Sequence, residues 1–183
     1  MGNSVDLSKF NKMDYSHGKS KWMYRIWHLV NYLIFQQSWI GSSKLRCAIL
    51  RWFGAEIGVG VVMNKPRINI KYPWLLSIGD HSWIGESSWI YNMDKVEIGS
   101  HVNIAQGALI LTGNHNYKSE KFEVFTQPVF IGDGVFVGAN AVICPGVIIQ
   151  DNVVLAVGSV AKGELKSGMV YSGNPATEIK NRW

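Results

Sequence analysis

The feature that most constrains this chain is a six-residue period that begins at Ile57 and runs through most of the sequence beyond it. An aliphatic residue, usually followed by a small one, recurs as Ile131-Gly132, Val137-Gly138, Ile143-Cys144, Ile149-Gln150 and Leu155-Ala156. Earlier runs are Ile78-Gly79, Ile84-Gly85, Ile90-Tyr91, then Ile98-Gly99, Ile104-Ala105, Ile110-Leu111. Four positions after the aliphatic stands a small or β-branched residue, as at Ser82, Ser88, Val102, Ala108, Val135, Ala141, Val147, Val153 and Ser159. A six-residue unit makes one short strand and a turn, and three such units close a triangular coil. The aliphatic then points inward and stacks on its equivalents above and below, and the small neighbour lets the chain turn the corner. One coil cannot bury its own face, so stability comes from stacking. Strands of a β-sandwich recur at roughly 8–12 residues with looser spacing. The fold class is therefore an all-β repeat, a parallel β-helix.

The breaks in the repeat carry information too. Ile78 is out of the Ile57 phase by three, and Ile98 follows Val96 by two. After Ile110 the next inward position falls at 116, yet regular phasing resumes only at Ile131. About a coil's worth of chain, residues 114–128, thus leaves the stack as a projecting loop, where function tends to concentrate on a rigid scaffold. After Lys166 the repeat gives out into a tail, 167–183, through Ser172-Gly173-Asn174-Pro175-Ala176.

Residues 1–56 form a separate segment before the β-helix domain of 57–183. They hold the whole net charge of +5, with eight Lys or Arg against Asp6, Asp14 and Glu56, while the rest balances. Met23, Ile26, Trp27, Val30, Leu33 and Ile34 fall at helical spacing. Ser42 or Ser43 can cap a second helix that runs through Trp52 to Gly54. These helices are expected to cover the open end of the first coil. On another face they can rest on an anionic membrane surface. Residues 22–40 are too polar for a span. The polar stretch from Met1 to Lys21 predicts no signal peptide. Cys47 and Cys144 match no metal spacing and suit a reduced, cytoplasmic protein. A nucleic-acid partner has only charge in its favour and no motif, so none is expected.

The repeat, the string Thr112-Gly113-Asn114-His115-Asn116-Tyr117 and the tail Gly173-Asn174-Pro175-Ala176 together resemble the hexapeptide-repeat acetyltransferases. Within them the chain looks most like the colanic-acid type of exopolysaccharide enzymes, which the block Ile78-Gly79-Asp80-His81-Ser82-Trp83-Ile84-Gly85 and Ile90-Tyr91-Asn92 also suggests. The resemblance implies a left-handed winding and a homotrimer with sites between neighbouring β-helices. It implies acetyl-CoA as co-substrate, no metal, and His115 as general base toward a sugar hydroxyl on a lipid-linked or nucleotide-linked acceptor. Relatives often carry Thr-Lys after the last Ser-Val-Val; here Ser159-Val160-Ala161-Lys162 lacks the Thr and brings the Lys one position early.

An alcohol is too weakly acidic to attack a thioester unaided, and a neutral imidazole suits the proton removal. His115 stands where the repeat breaks, beside flexible Gly113. Asn92 and Glu120 are the candidates to orient it. Trp83 and Trp89, six apart, are expected to stack on the outer surface as a sugar shelf or a subunit contact. Asn92, Tyr117, Lys118, Glu120 and Phe122 are further candidates for acceptor contact. The backbone of Gly138, Ala139, Val157 and Gly158 would line the pantetheine arm. Lys162, Lys166 and Arg182 are available for CoA phosphates. His81 and His101 read as solvated corners, and Cys144 as packed and inert. A γ-type carbonic anhydrase on the same scaffold needs a second histidine five residues after His115, where Glu120 stands. A non-catalytic docking β-helix would leave the His115 loop without purpose.

Overall fold

A computed structural model describes residues 4–11, 15–16, 18–63 and 65–183. The repeat region winds into a three-faced prism of parallel strands. The first face stacks Glu56–Ile57, Leu76–Ile78, Val96–Ile98, Val129–Ile131, Ile148–Ile149 and Glu164–Leu165. The second stacks Trp83–Ile84, Asn103–Ile104, Phe136–Val137, Val154–Leu155 and Met169–Gly173, with Ala176–Asn181 added antiparallel at its end. The third stacks Asn69–Ile70, Trp89–Tyr91, Leu109–Leu111, Val142–Ile143 and Val160–Ala161.

Every aliphatic picked out by the six-residue period is buried, from Ile57 through Ile104 to Leu155, and so is the second column from Ser82 to Ser159. They form one apolar core with the helices before them. The phase slips have a simple cause. Three first-face strands, Leu76–Ile78, Val96–Ile98 and Val129–Ile131, each turn two alternate residues inward instead of one. The small residue after the aliphatic also has a steric origin. A Cβ on Gly85 would lie 2.6 Å from the Gln106 nitrogen of the next coil, and one on Gly138 would lie 2.5 Å from that of Val157. Coils can approach this closely only where the side chain is missing.

Helix α1 (Lys21–Val30) is capped by Ser20 and runs into a π turn, Asn31–Phe35. Helix α2 (Ser43–Trp52) is capped by Ser42, whose hydroxyl accepts from Leu45 N–H, and ends at Gly54 with φ 92°. Trp27, Phe35, Leu50 and Phe53 pack against Met63, Ile68 and Ile70, closing the end of the first coil. Trp27 Nε1 donates to the Ile70 carbonyl at 2.9 Å. Arg46, one of the eight basic residues of the first 56, is fully buried and donates to the carbonyls of Ile34, Gln37, Met63 and Lys65. It clamps the junction between helices and prism.

Two expectations are corrected. Trp83 and Trp89 do not stack, because six residues advance the chain by one side of the prism; they stand on the second and third faces. The repeat also continues past Lys166, with Leu155 pairing Tyr171, which takes the inward position of the last coil.

Candidate active site

The chain that leaves the stack after Leu111 forms a β-hairpin on the edge between the third and first faces. Gly113–His115 pairs antiparallel with Val124–Thr126, with His115 opposite Val124. Its base is tied down by Thr126 Oγ1 donating to Asp94 Oδ2 at 3.0 Å and by Asp94 N–H donating to Thr112 Oγ1 at 2.8 Å. His115 Nδ1 lies 2.8 Å from the Phe122 carbonyl. A carbonyl oxygen can only accept, so Nδ1 carries the hydrogen and the lone pair of a neutral ring belongs to Nε2. The Phe122 ring lies parallel to the imidazole, with centroids 4.4 Å apart and 11° between planes, and Phe10 meets it edge-on at 5.4 Å. Phe122 adopts φ 49°, a left-handed conformation that bulky residues rarely occupy. Such backbone strain collects at functional sites.

The residues before α1 reach this hairpin. Asp6 N–H donates to the Glu120 carbonyl at 2.9 Å, and Lys9 Nζ meets Glu120 Oε1 at 2.5 Å. Phe10 and Tyr15 continue along a cleft of about 750 Å³ in front of His115. Tyr24, Tyr72 and Tyr91 line it too, and Lys71 Nζ sits 4.1 Å above the Tyr91 ring. Among the described lining residues Lys71 is the one permanent charge, and none is a carboxylate. The Tyr15 hydroxyl donates to the Met93 carbonyl at 2.5 Å. Burial pushes the Tyr72 phenol up to about 12 and raises Tyr15 likewise, so both stay neutral at ordinary pH.

The predicted residues fall in several places. His115 lines the cleft, and Phe122 is its support. Asn92 does not face an acceptor: it is fully buried, and its amide bonds the backbone N–H and carbonyl of Tyr72. It holds the cleft wall instead. Glu120 does not orient the imidazole either, being engaged by Lys9. Tyr117 and Lys118 are exposed on the hairpin. Trp83 and Trp89 are exposed on their separate faces. His81 and His101 stack at an outer corner, 5.4 Å apart.

Gly138, Ala139, Val157 and Gly158 do come together, on adjacent coils, with Gly158 N–H donating to the Ala139 carbonyl at 2.8 Å. Their edge lies between the second and third faces, so within one protomer they and His115 occupy different edges of the prism. Lys162 follows Val160–Ala161 on the His115 edge, and Lys166 follows Glu164–Leu165 on the remaining one. Both are exposed. Arg182 donates to the Gly134 carbonyl at 2.7 Å and lies over the Trp183 ring. Burial raises the Cys144 thiol, which argues against a thiolate nucleophile there. Among the described residues no three His, Cys, Asp or Glu side chains converge as a metal site.

A prism of hexapeptide coils hosts more than one chemistry, and comparison with known proteins decides the class here. A family model described as bacterial transferase hexapeptide (six repeats) matches residues 128–163. WcaF of Escherichia coli K12, named as a putative colanic acid biosynthesis acetyltransferase, is 33% identical over 177 residues, covering 97% of both chains. The chain therefore belongs to the hexapeptide-repeat acetyltransferases. The galactoside O-acetyltransferase of Escherichia coli K12 is 28% identical over 149 residues, covering 80% of this chain and 73% of that one. A maltose O-acetyltransferase structure from Clostridium difficile 630 superposes with a TM-score of 0.75 at 26% identity, covering 88% of this chain and 89% of that one.

Proposed function

We propose that this acetyltransferase moves an acetyl group from acetyl-CoA to a sugar hydroxyl, with His115 as general base. The observation that carries the reading is the His115 imidazole fixed by the Phe122 carbonyl at the wall of an aromatic cleft. In the reaction the acceptor hydroxyl oxygen attacks the thioester carbonyl carbon while its proton passes to Nε2. The tetrahedral intermediate then expels the CoA sulfur, which takes the proton back from the imidazolium. The Phe122 carbonyl stabilises the positive ring between these two transfers.

The acceptor belongs in the cleft. Tyrosine faces suit the C–H sides of a sugar ring, and Lys71, with no carboxylate among the described lining residues, favours an acceptor bearing an anionic group. That fits the phosphates of a nucleotide-linked or lipid-linked saccharide, in keeping with a relative named for colanic acid biosynthesis. The small residues at Gly138, Ala139, Val157 and Gly158 suit the pantetheine arm; of the cations proposed for its phosphates, Lys162 stands on the His115 edge, while Lys166 and Arg182 lie toward the remaining edge. Because that edge and the His115 edge are separate in one protomer, a complete site takes its CoA wall from a neighbouring subunit. A homotrimer of left-handed prisms supplies it three times over. The enzyme works in the cytoplasm, where acetyl-CoA is made.

The test is acetyl-CoA-dependent thiol release over a panel of neutral sugars, acidic sugars, nucleotide sugars and polyprenyl-diphosphate saccharides. Acceptor-dependent release that is largest for anionic members supports the reading. Release with amino sugars alone contradicts the hydroxyl assignment.

A further inference from the structure

Helix α1 carries apolar residues on two sides. One side packs inward through Trp27, which is 1% exposed. The other presents Trp22, Ile26 and Leu29 at i, i+4 and i+7, exposed by 71%, 46% and 58%. Leu33 and Tyr32 of the following turn extend this stripe, and Trp39, exposed by 72%, joins it through an indole N–H donated to the Leu33 carbonyl at 2.7 Å. The outer face of a surface helix is ordinarily polar. A contiguous exposed apolar patch of this kind marks an interaction site.

Its charge is of one sign. From Tyr15 to Ala55 the sequence contains no Asp or Glu. Lys19, Lys21, Arg25 and Lys44 line up along this segment, and the Arg25 guanidinium lies 5.9 Å from the Trp22 ring. A two-fold contact between copies of this face would set cations against cations. An anionic lipid surface instead satisfies both features: headgroups meet the Lys and Arg, while Trp and aliphatic side chains enter the acyl boundary. Ten residues of α1 and five of the π turn are too short to span a bilayer, and no helix among the described residues is long and apolar enough to cross one. Such a helix lies in the interface.

We propose that the outer side of α1, with the turn after it, docks this protein on an anionic phospholipid surface. The same helix lines the His115 cleft through Tyr24. Docking thus places the cleft beside the bilayer, where an acceptor carried on a lipid would be presented. The observations for the docking face are independent of the acetyl-transfer reading.

The experiment is flotation of the full chain with vesicles of phosphatidylcholine alone or mixed with phosphatidylglycerol, at low and high salt. It is run beside an Ile26→Glu/Leu29→Glu variant. Wild type is expected to float with the mixed vesicles, weakly with the neutral ones, and less as salt rises. The variant should partition at least about tenfold more weakly while keeping its melting temperature and its thiol release with a soluble acceptor. Wild type that stays at the bottom with both vesicle types overturns the proposal, as does a variant that floats equally well. Light scattering adds one more contrary outcome: a variant that lowers the oligomeric state, with no flotation of wild type, assigns the face to contacts between copies. Thiol release is read separately, so a failed docking surface and a failed acetyl-transfer reading give different results.

Discussion

A main-chain oxygen sets the tautomer of His115. This is why sequence reasoning could find the histidine but not its partner: any residue at position 122 supplies a carbonyl, and only the hairpin geometry brings it within 2.8 Å of Nδ1. The side chain at 122 matters for another reason, its parallel stack on the imidazole. Phe122→Ala keeps the carbonyl and loses the stack. It is expected to lower kcat roughly two- to tenfold, the equivalent of an aromatic contact worth about 0.5–1.5 kcal/mol, and to leave KM for acetyl-CoA unchanged. Steady-state kinetics against both substrates reads the split; an unchanged kcat would show that the stack does not position the base. Asn92 shows the opposite error. Its residue type makes it a candidate to orient His115 or to contact the acceptor, whereas both ends of its amide are satisfied by Tyr72 in the interior.

At the scale of elements, the solenoid was legible because its inward positions repeat on a fixed period, and periodicity survives without knowledge of tertiary contacts. The stacking of Trp83 on Trp89 was misjudged because a six-residue step crosses to the next face. Nothing periodic marks the chain ahead of α1, so its reach to Glu120 and His115 through Asp6, Lys9 and Phe10 was invisible in the sequence. The cleft's aromatic wall was missed with it, since Tyr15, Tyr24, Tyr72 and Tyr91 come from four separate stretches of chain. The glycines are clearer. Gly85 lies outside the proposed site, and its missing Cβ makes room for Gln106 on the next coil. Gly85→Ala should destabilise the fold by about 1–3 kcal/mol through overpacking, seen as a lower midpoint in chemical denaturation. A midpoint equal to that of wild type would mean that the coils have slack there.

For the whole molecule, the separation of the His115 edge from the Ala139 and Gly158 edge is the fact with most consequence. If the chain forms the proposed homotrimer and each site joins two subunits, two different defects can complement. His115→Ala removes the proposed base, and Ala139→Trp fills the proposed pantetheine wall. Mixed trimers assembled from both single variants contain some interfaces with an intact base and an intact wall. They should regain thiol release well above either parent. Mixed trimers as inactive as the parents would place base and wall on the same subunit.

Whether His115 is the base for acetyl transfer is read from catalysis and binding measured together in His115→Ala. With the best acceptor from the panel, thiol release is expected to fall by roughly 10²–10⁴-fold. Acetyl-CoA affinity by calorimetry should stay close to wild type, because the proposed role of the histidine is toward the acceptor. A variant that binds acetyl-CoA normally and still releases thiol at the wild-type rate would contradict the mechanism.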